Sequence, residues 1–178
     1  PIVRVGAGLI DVQEATESSF VVWDATDGDG LEATGSLSFG YQPVVDTYQA
    51  DRTLAIRNLT GSPLTVELSS SFRDAGDEGR GVTVEPLSSS VSVPADGRAD
   101  VTVRLTIDGA GLREGSFDKG RHGSSGYGLD ELEYDGWISL TAGGPLTLSV
   151  PWHVLPRKVA DVAASLDATA GQDRTGTV

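Results

Sequence analysis

The chain has 178 residues, no cysteine, and 13 Lys+Arg against 26 Asp+Glu, a formal net charge of -13. An acidic surface repels phosphate, which argues against nucleic-acid and anionic-membrane partners, and the missing thiols exclude disulfides, zinc–thiolate sites and cysteine nucleophiles. Hydrophobic residues make up 38%, enough for one core, while 23 glycines indicate a turn-rich β chain of one domain with extensions.

Pro1–Arg4 lacks the charged and apolar regions of a signal peptide, so a secreted protein would carry its signal upstream of Pro1, which becomes an expected cut point. Gly6-Ala7-Gly8 forms a turn of small residues. Asp11 then caps a short helix, with Glu14 three residues later as the reciprocal partner. Thr16 and Ser18-Ser19 end it after barely two turns, and a helix that short is unstable alone in water. Residues 17–35 read as a linker or an extra hairpin.

Within that stretch WDATDGDGLE gathers Asp24, Asp27, Asp29 and Glu32. An EF-hand loop needs oxygen ligands at positions 1, 3 and 5 and Gly at 6. Starting at Asp24 puts Gly28 at the fifth position and Asp29 at the sixth, and starting at Asp27 puts Leu31 at the fifth. The template therefore fails. Asp24, Asp27 and Asp29 stay as candidate ligands of a looser calcium site, calcium being the one cofactor weighed. The competing reading is a solvated acidic hairpin turn.

From Ser36 onward the chain reads as short strands. Thr53–Asn58, Leu64–Ser69, Gly81–Glu85 and Ser90–Val93 are candidates, as is Trp137–Ala142. The strongest alternation runs through Arg98–Ile107, with Val101, Val103, Leu105 and Ile107 on one face. Pro145–Val154 repeats the pattern, and Pro151 marks it as an edge strand or a strand that bends there. Thr60-Gly61-Ser62-Pro63, Ala95-Asp96-Gly97 and Ala142-Gly143-Gly144-Pro145 are the intervening turns. About seven such strands fit an all-β, fibronectin-III/immunoglobulin-like β-sandwich over residues 36–157. Residues 108–134, rich in glycine and acids, read as an insertion, and 158–178 as a C-terminal linker.

Catalytic signatures are weak. The two histidines are His122 and His153. His122 neighbours Ser124 and Ser125, but the spacing is not a G-x-S-x-G elbow and no strand-turn-helix frames it, so no catalytic residue is assigned. His153 falls on the solvent face of a strand or at an interface. Asp130, Glu131, Glu133 and Asp135 form a second acidic cluster, and Asp135-Gly136 turns the chain into a strand. Asn58-Leu59-Thr60 matches a glycosylation acceptor, for which a turn is sufficient explanation. Trp23, Tyr41, Tyr48 and Tyr127 are the aromatics a binding module would expose, whereas Trp137 and Trp152 suit the core.

Three stretches in series carry a family resemblance. GAGLIDVQEA (Gly6, Ala7, Gly8, Leu9, Ile10, Asp11 and Ala15 at the motif positions) resembles the closing turn and terminal helix of the catalytic domain in subtilisin-like serine proteases. SLSFG (Ser36–Gly40) is similar to the strand that opens the fibronectin-III-like domain following it. YDGWISLTAGGPLTLSVPWHVLPR, through Gly136, Trp137, Ile138, Leu140, Val150, Pro151, Trp152 and Val154, resembles that domain's final hairpin. The resemblance implies that residues 1–16 end an upstream protease domain. The family's catalytic Asp, His and Ser would then precede Pro1, and this chain would be a non-catalytic accessory domain of a secreted endopeptidase. Its expected partners are the catalytic domain of the same polypeptide and protein or peptide substrate. An extracellular adhesion or carbohydrate-binding module, or a calcium-stabilised structural domain, are the competing expectations.

Overall fold

The computed structural model describes residues 11–29, 33–113, 132–144 and 146–161. They form one short α-helix, α1 (Val12–Glu17), a 3-10 turn at Ala75–Asp77, and nine strands: β1 (Phe20–Asp24), β2 (Leu37–Val44), β3 (Thr47–Asn58), β4 (Leu64–Phe72), β5 (Val82–Pro86), β6 (Ser90–Val93), β7 (Arg98–Asp108), β8 (Tyr134–Thr141) and β9 (Thr147–Lys158). A four-stranded sheet in the order β1-β3-β7-β5 faces a five-stranded sheet in the order β2-β9-β8-β4-β6. The architecture is an immunoglobulin-like β-sandwich, as the strand pattern predicts.

Period-two alternation places the core. In β7, Val101, Val103, Leu105 and Ile107 are buried, while Arg98, Asp100, Thr102, Arg104 and Thr106 line the opposite face. Leu54 and Ile56 of β3 join them, and the other sheet answers with Val66, Ile138, Leu140, Val150, Trp152 and Val154. Trp152 is 1% exposed. It meets Phe72 edge to face, with ring centroids 5.2 Å apart, one of the two favoured arrangements for aromatic pairs. Its indole also lies against the backbone of Gly136.

β2 and β9 are parallel neighbours, with Leu37 opposite Trp152 and Val44 opposite Lys158. The opening SLSFG and closing VPWHV segments of the resemblance thus lie side by side. Between Ser38 and Tyr41 the register slips, and Gly40 supplies the left-handed φ of 64° that this bulge uses.

The structure corrects one expectation about the strands. The sandwich begins at Phe20 rather than at residue 36, because β1 pairs antiparallel with β3 from Phe20 opposite Asn58 to Asp24 opposite Leu54. Phe20 itself is a core residue at 1% exposure. β9 is interior from Trp152 onward but an edge at Pro151, where the proline is expected to need one. β2 starts pairing only at Trp152, so Thr147–Pro151 has β8 as its single neighbouring strand. Strands β3, β4, β8 and β9 also run beyond the limits expected from alternation.

α1 forms as its cap predicts: the Asp11 side chain accepts a hydrogen bond from the Glu14 N–H at 3.0 Å. It buries no residue, and Val12 is 69% exposed. The helix therefore takes no part in the sandwich core. Gly6 to Ile10, and the expected linker beyond residue 161, lie outside the described residues.

Candidate functional site

The chemistry collects where β1 ends and the acidic loop begins. Asp24 is buried, and its Oδ1 accepts from both the backbone N–H (2.9 Å) and the hydroxyl (2.5 Å) of Thr26. Arg52 of β3 lies 3.8 Å from Asp24 Oδ2 and 3.3 Å from Asp27 Oδ2. The same guanidinium donates to the Ser38 carbonyl at 2.6 Å and sits over the Phe39 ring. Asp29 accepts from Trp23 Nε1 at 3.2 Å and pairs with Arg98 of β7. The hydrogen bond from Arg98, then that from Trp23, hold the Asp29 carboxyl below the usual carboxylate range.

The loop is thus the acidic half of an arginine–aspartate lattice. Asp24, Asp27 and Asp29 turn toward two different arginines, and among the described residues no group of three or more His, Asp or Glu is arranged to hold a metal ion. A calcium ion at these carboxylates would have to displace Arg52 and Arg98. Farther along the same sheet, Arg104 and Asp51 make a bidentate pair with both bonds at 2.8 Å.

Arg98 has a second role. Its guanidinium carbon lies 5.2 Å from the Trp23 ring centroid, a cation–π contact, while Asp29 and Asp100 neutralise it. Trp23, Asp29, Arg57, Asp96, Gly97 and Arg98 together line an open cleft of about 410 Å³. Sequence reasoning singled out Trp23 and Asp29. It missed Arg57 and Arg98, which reach the cleft through strand register, Arg57 standing opposite Val21 on one side and Arg98 on the other.

The rim of the cleft is held by Asn58. Its side-chain nitrogen donates to the carbonyls of Ser62 (2.8 Å), Pro94 (2.9 Å) and Val93 (3.3 Å), while its Oδ1 accepts from the Thr60 N–H and hydroxyl, both at 2.8 Å. Its backbone N–H donates to the Gly97 carbonyl, and Asp96 takes a φ of 51° in the turn so fixed. With Asn58 1% exposed, the Asn-Leu-Thr motif is a structural knot whose amide a glycosylating enzyme cannot reach in the folded protein.

On the outer face of the other sheet Ser38, His153 and Asp135 stand in one cross-strand row. They do not form a catalytic triad: His153 Nε2 is buried without a hydrogen-bond partner, and both Asp135 oxygens accept from Arg73 Nε, at 2.9 and 3.0 Å. Asp135 is itself buried rather than a simple turn residue. Burial lowers the His153 pKa below its ordinary value, against the pull of Glu133 and Asp135. A lowered folded-state pKa means that the unfolded chain binds more protons. The stability His153 contributes is therefore complete above about pH 6.5 and is lost as pH falls below it. Urea denaturation at pH 5, 6 and 7 is expected to show that decline. His153→Gln should flatten it, the slope staying under about 1.4 kcal/mol per pH unit.

Of the other candidates, Tyr41 is 55% exposed, Tyr48 packs against the core, and Trp137 is half-buried on the outer face of β8. His122, Ser124, Ser125, Tyr127, Asp130 and Glu131 lie outside the described residues. No described helix is long and apolar enough to cross a membrane.

No family model matches the chain, and no curated protein does. Solved structures resemble it. The PapD-like domain 7 of human CEP192 shares 13% identity at a TM-score of 0.43, over 86% of this chain and 96% of that one. A family 123 glycoside hydrolase from Clostridium perfringens shares 12% identity at a TM-score of 0.47, over 80% of this chain and 28% of that one. The CupB2 chaperone of Pseudomonas aeruginosa shares 13% identity at a TM-score of 0.39, over 68% and 53%. What these proteins have in common with the chain is the β-sandwich.

Proposed function

We propose that this chain is a non-catalytic β-sandwich module that follows the catalytic domain of a secreted subtilisin-like serine endopeptidase, docking on that domain and stabilising it. The observation that carries the reading is α1. It is a capped helix of six residues with every side chain off the sandwich, and a helix of that length gains stability from packing rather than from propensity. Its natural cover is the domain that the GAGLIDVQEA resemblance places before it. The pairing of β2 with β9 adds support, since it brings two of the three resembling segments together.

Two measurements test this. The reading frame upstream of Pro1 is expected to carry a G-T-S-M-type nucleophile motif, and its absence overturns the proposal. The α1 amides are expected to exchange with deuterium at near-intrinsic rates in the isolated chain and to be protected once the upstream polypeptide is present. The isolated chain should leave casein intact.

A second reading, favoured by the Trp23 cleft, is a module that binds saccharide outside the cell. It is compatible with the first, because an accessory domain can hold a substrate or a matrix for its enzyme.

A further inference from the structure

We infer that the cleft formed by Trp23, Arg57, Arg98, Asp96 and Gly97 binds a saccharide bearing a carboxylate, a uronic acid residue within a polysaccharide. The inference rests on the second reading above and gives it a ligand class. Two features of the cleft specify that class. The first is the half-buried indole of Trp23, which with the Arg98 guanidinium over its ring makes an amphipathic wall, the kind of surface on which an apolar sugar face packs while its hydroxyls turn to polar neighbours. Asp96, Gly97 and Asp29 on the rim supply those neighbours.

The second is the division of labour between the arginines. Arg98 already bridges Asp29 and Asp100 and stacks on Trp23. Arg57 is exposed and forms no ion pair among the described residues. Arg57 is the one guanidinium of the cleft without a carboxylate, and it favours an anionic ligand over a neutral one through paired charge-assisted hydrogen bonds, against the opposing field of a chain of net charge -13 and of Asp96 on the rim.

The site is also built in advance. Arg57 precedes Asn58 on β3, and the Asn58 hydrogen bonds to Pro94, with the Gly97 carbonyl bonded to the Asn58 N–H, fix the Asp96–Gly97 rim. Arg98 and Asp29, which line the same cleft, hold the indole in place. The rim and the indole are thus held beforehand, and the Arg57 side chain is what has to be ordered on binding.

The test is a titration of the 178-residue chain with tetragalacturonate, xylotetraose and a tetraglutamate peptide, followed by tryptophan fluorescence and calorimetry. Tetragalacturonate is expected to bind, to perturb the emission, and to weaken as salt is raised. Arg57→Gln should lower the affinity about tenfold, with Arg57→Lys recovering part of it. Trp23→Phe should keep calorimetric binding but remove the fluorescence change, assigning the signal to this cleft. Both positions are on the outer face of the sheet, and far-UV circular dichroism checks that each variant folds. Equal affinity for xylotetraose overturns the uronate assignment while leaving the saccharide reading standing. Binding of tetraglutamate as tight as that of the sugar overturns the saccharide class, and silence toward both sugars overturns the two together. Wild-type affinity in Arg57→Gln places the ligand elsewhere and ends the proposal.

Discussion

Gly136→Ala should be among the most damaging single substitutions in the sandwich, costing about 3 kcal/mol or more. Gly136 is in the middle of the five-stranded sheet, opposite Phe72 on one neighbour and Trp152 on the other. A Cβ at this position would fall 2.0 Å from the Ser71 carbonyl oxygen and 2.7 Å from Trp152 Cζ2. Neither wall can give way. The carbonyl belongs to a sheet strand, and the indole is locked by Phe72. A domain whose whole stability is about 5–15 kcal/mol then loses a large share of it. Differential scanning calorimetry should show the loss as a lower melting temperature. Gly143→Ala is the control, because that residue has a φ of 70° but open space around it, and its cost should be only about 1 kcal/mol. If both substitutions cost the same, close packing at Gly136 is not what requires glycine there.

The second large effect is expected at Asn58. Asn58→Ala removes one side chain and takes a partner from several groups at once: the buried carbonyl of Val93 and the part-buried carbonyls of Ser62 and Pro94 and N–H of Thr60. Unmet buried groups cost about 1–3 kcal/mol each, partly recovered by water at the turn, so a net loss of about 2–4 kcal/mol is expected. Asn58→Asp should be worse despite its identical shape. It replaces a donor to three carbonyl oxygens with a carboxylate oxygen that repels them. Urea midpoints for the two variants should rank in that order, and an aspartate variant more stable than the alanine one would show that the donor role is not decisive. Both substitutions also loosen the Asp96–Gly97 rim, so they should weaken any ligand of the Trp23 cleft without touching it.

How much of this could be read from the sequence depended on the range of the interaction. Strand β7 was legible because alternation is a local signal: Val101 to Ile107 name the buried face without reference to anything distant. The cap of α1 was legible for the same reason, Asp11 and Glu14 being one turn apart. β1 was not. Phe20-Val21-Val22-Trp23 is apolar without alternation, and only pairing with β3, more than thirty positions away, makes it part of the sandwich. The acidic loop was recognised as a feature, but its meaning depended on arginines 25 and 69 residues distant. Seen alone, three aspartates suggest a cation site; with Arg52 and Arg98 in place they are counter-charges. The need for glycine at 136 was likewise visible only as part of a family pattern until the Ser71 carbonyl and the Trp152 ring supplied its cause.

The partnership of β2 with β9 also governs the order in which the molecule can assemble. Leu37 meets Trp152, so a segment made early on the ribosome waits for one made more than a hundred residues later. Until Thr147–Lys158 emerges, β2 has no neighbour in its sheet, and Leu37 and Phe39, both core residues, lack the cover of their own sheet. Closing so long a loop is slow, because its entropy is lost before any contact across it is gained. The half-made chain is therefore an aggregation-prone species, and its protection is the -13 charge it already largely carries. The acidity that sets the surface chemistry of the finished domain also keeps its nascent form in solution until the last strand arrives.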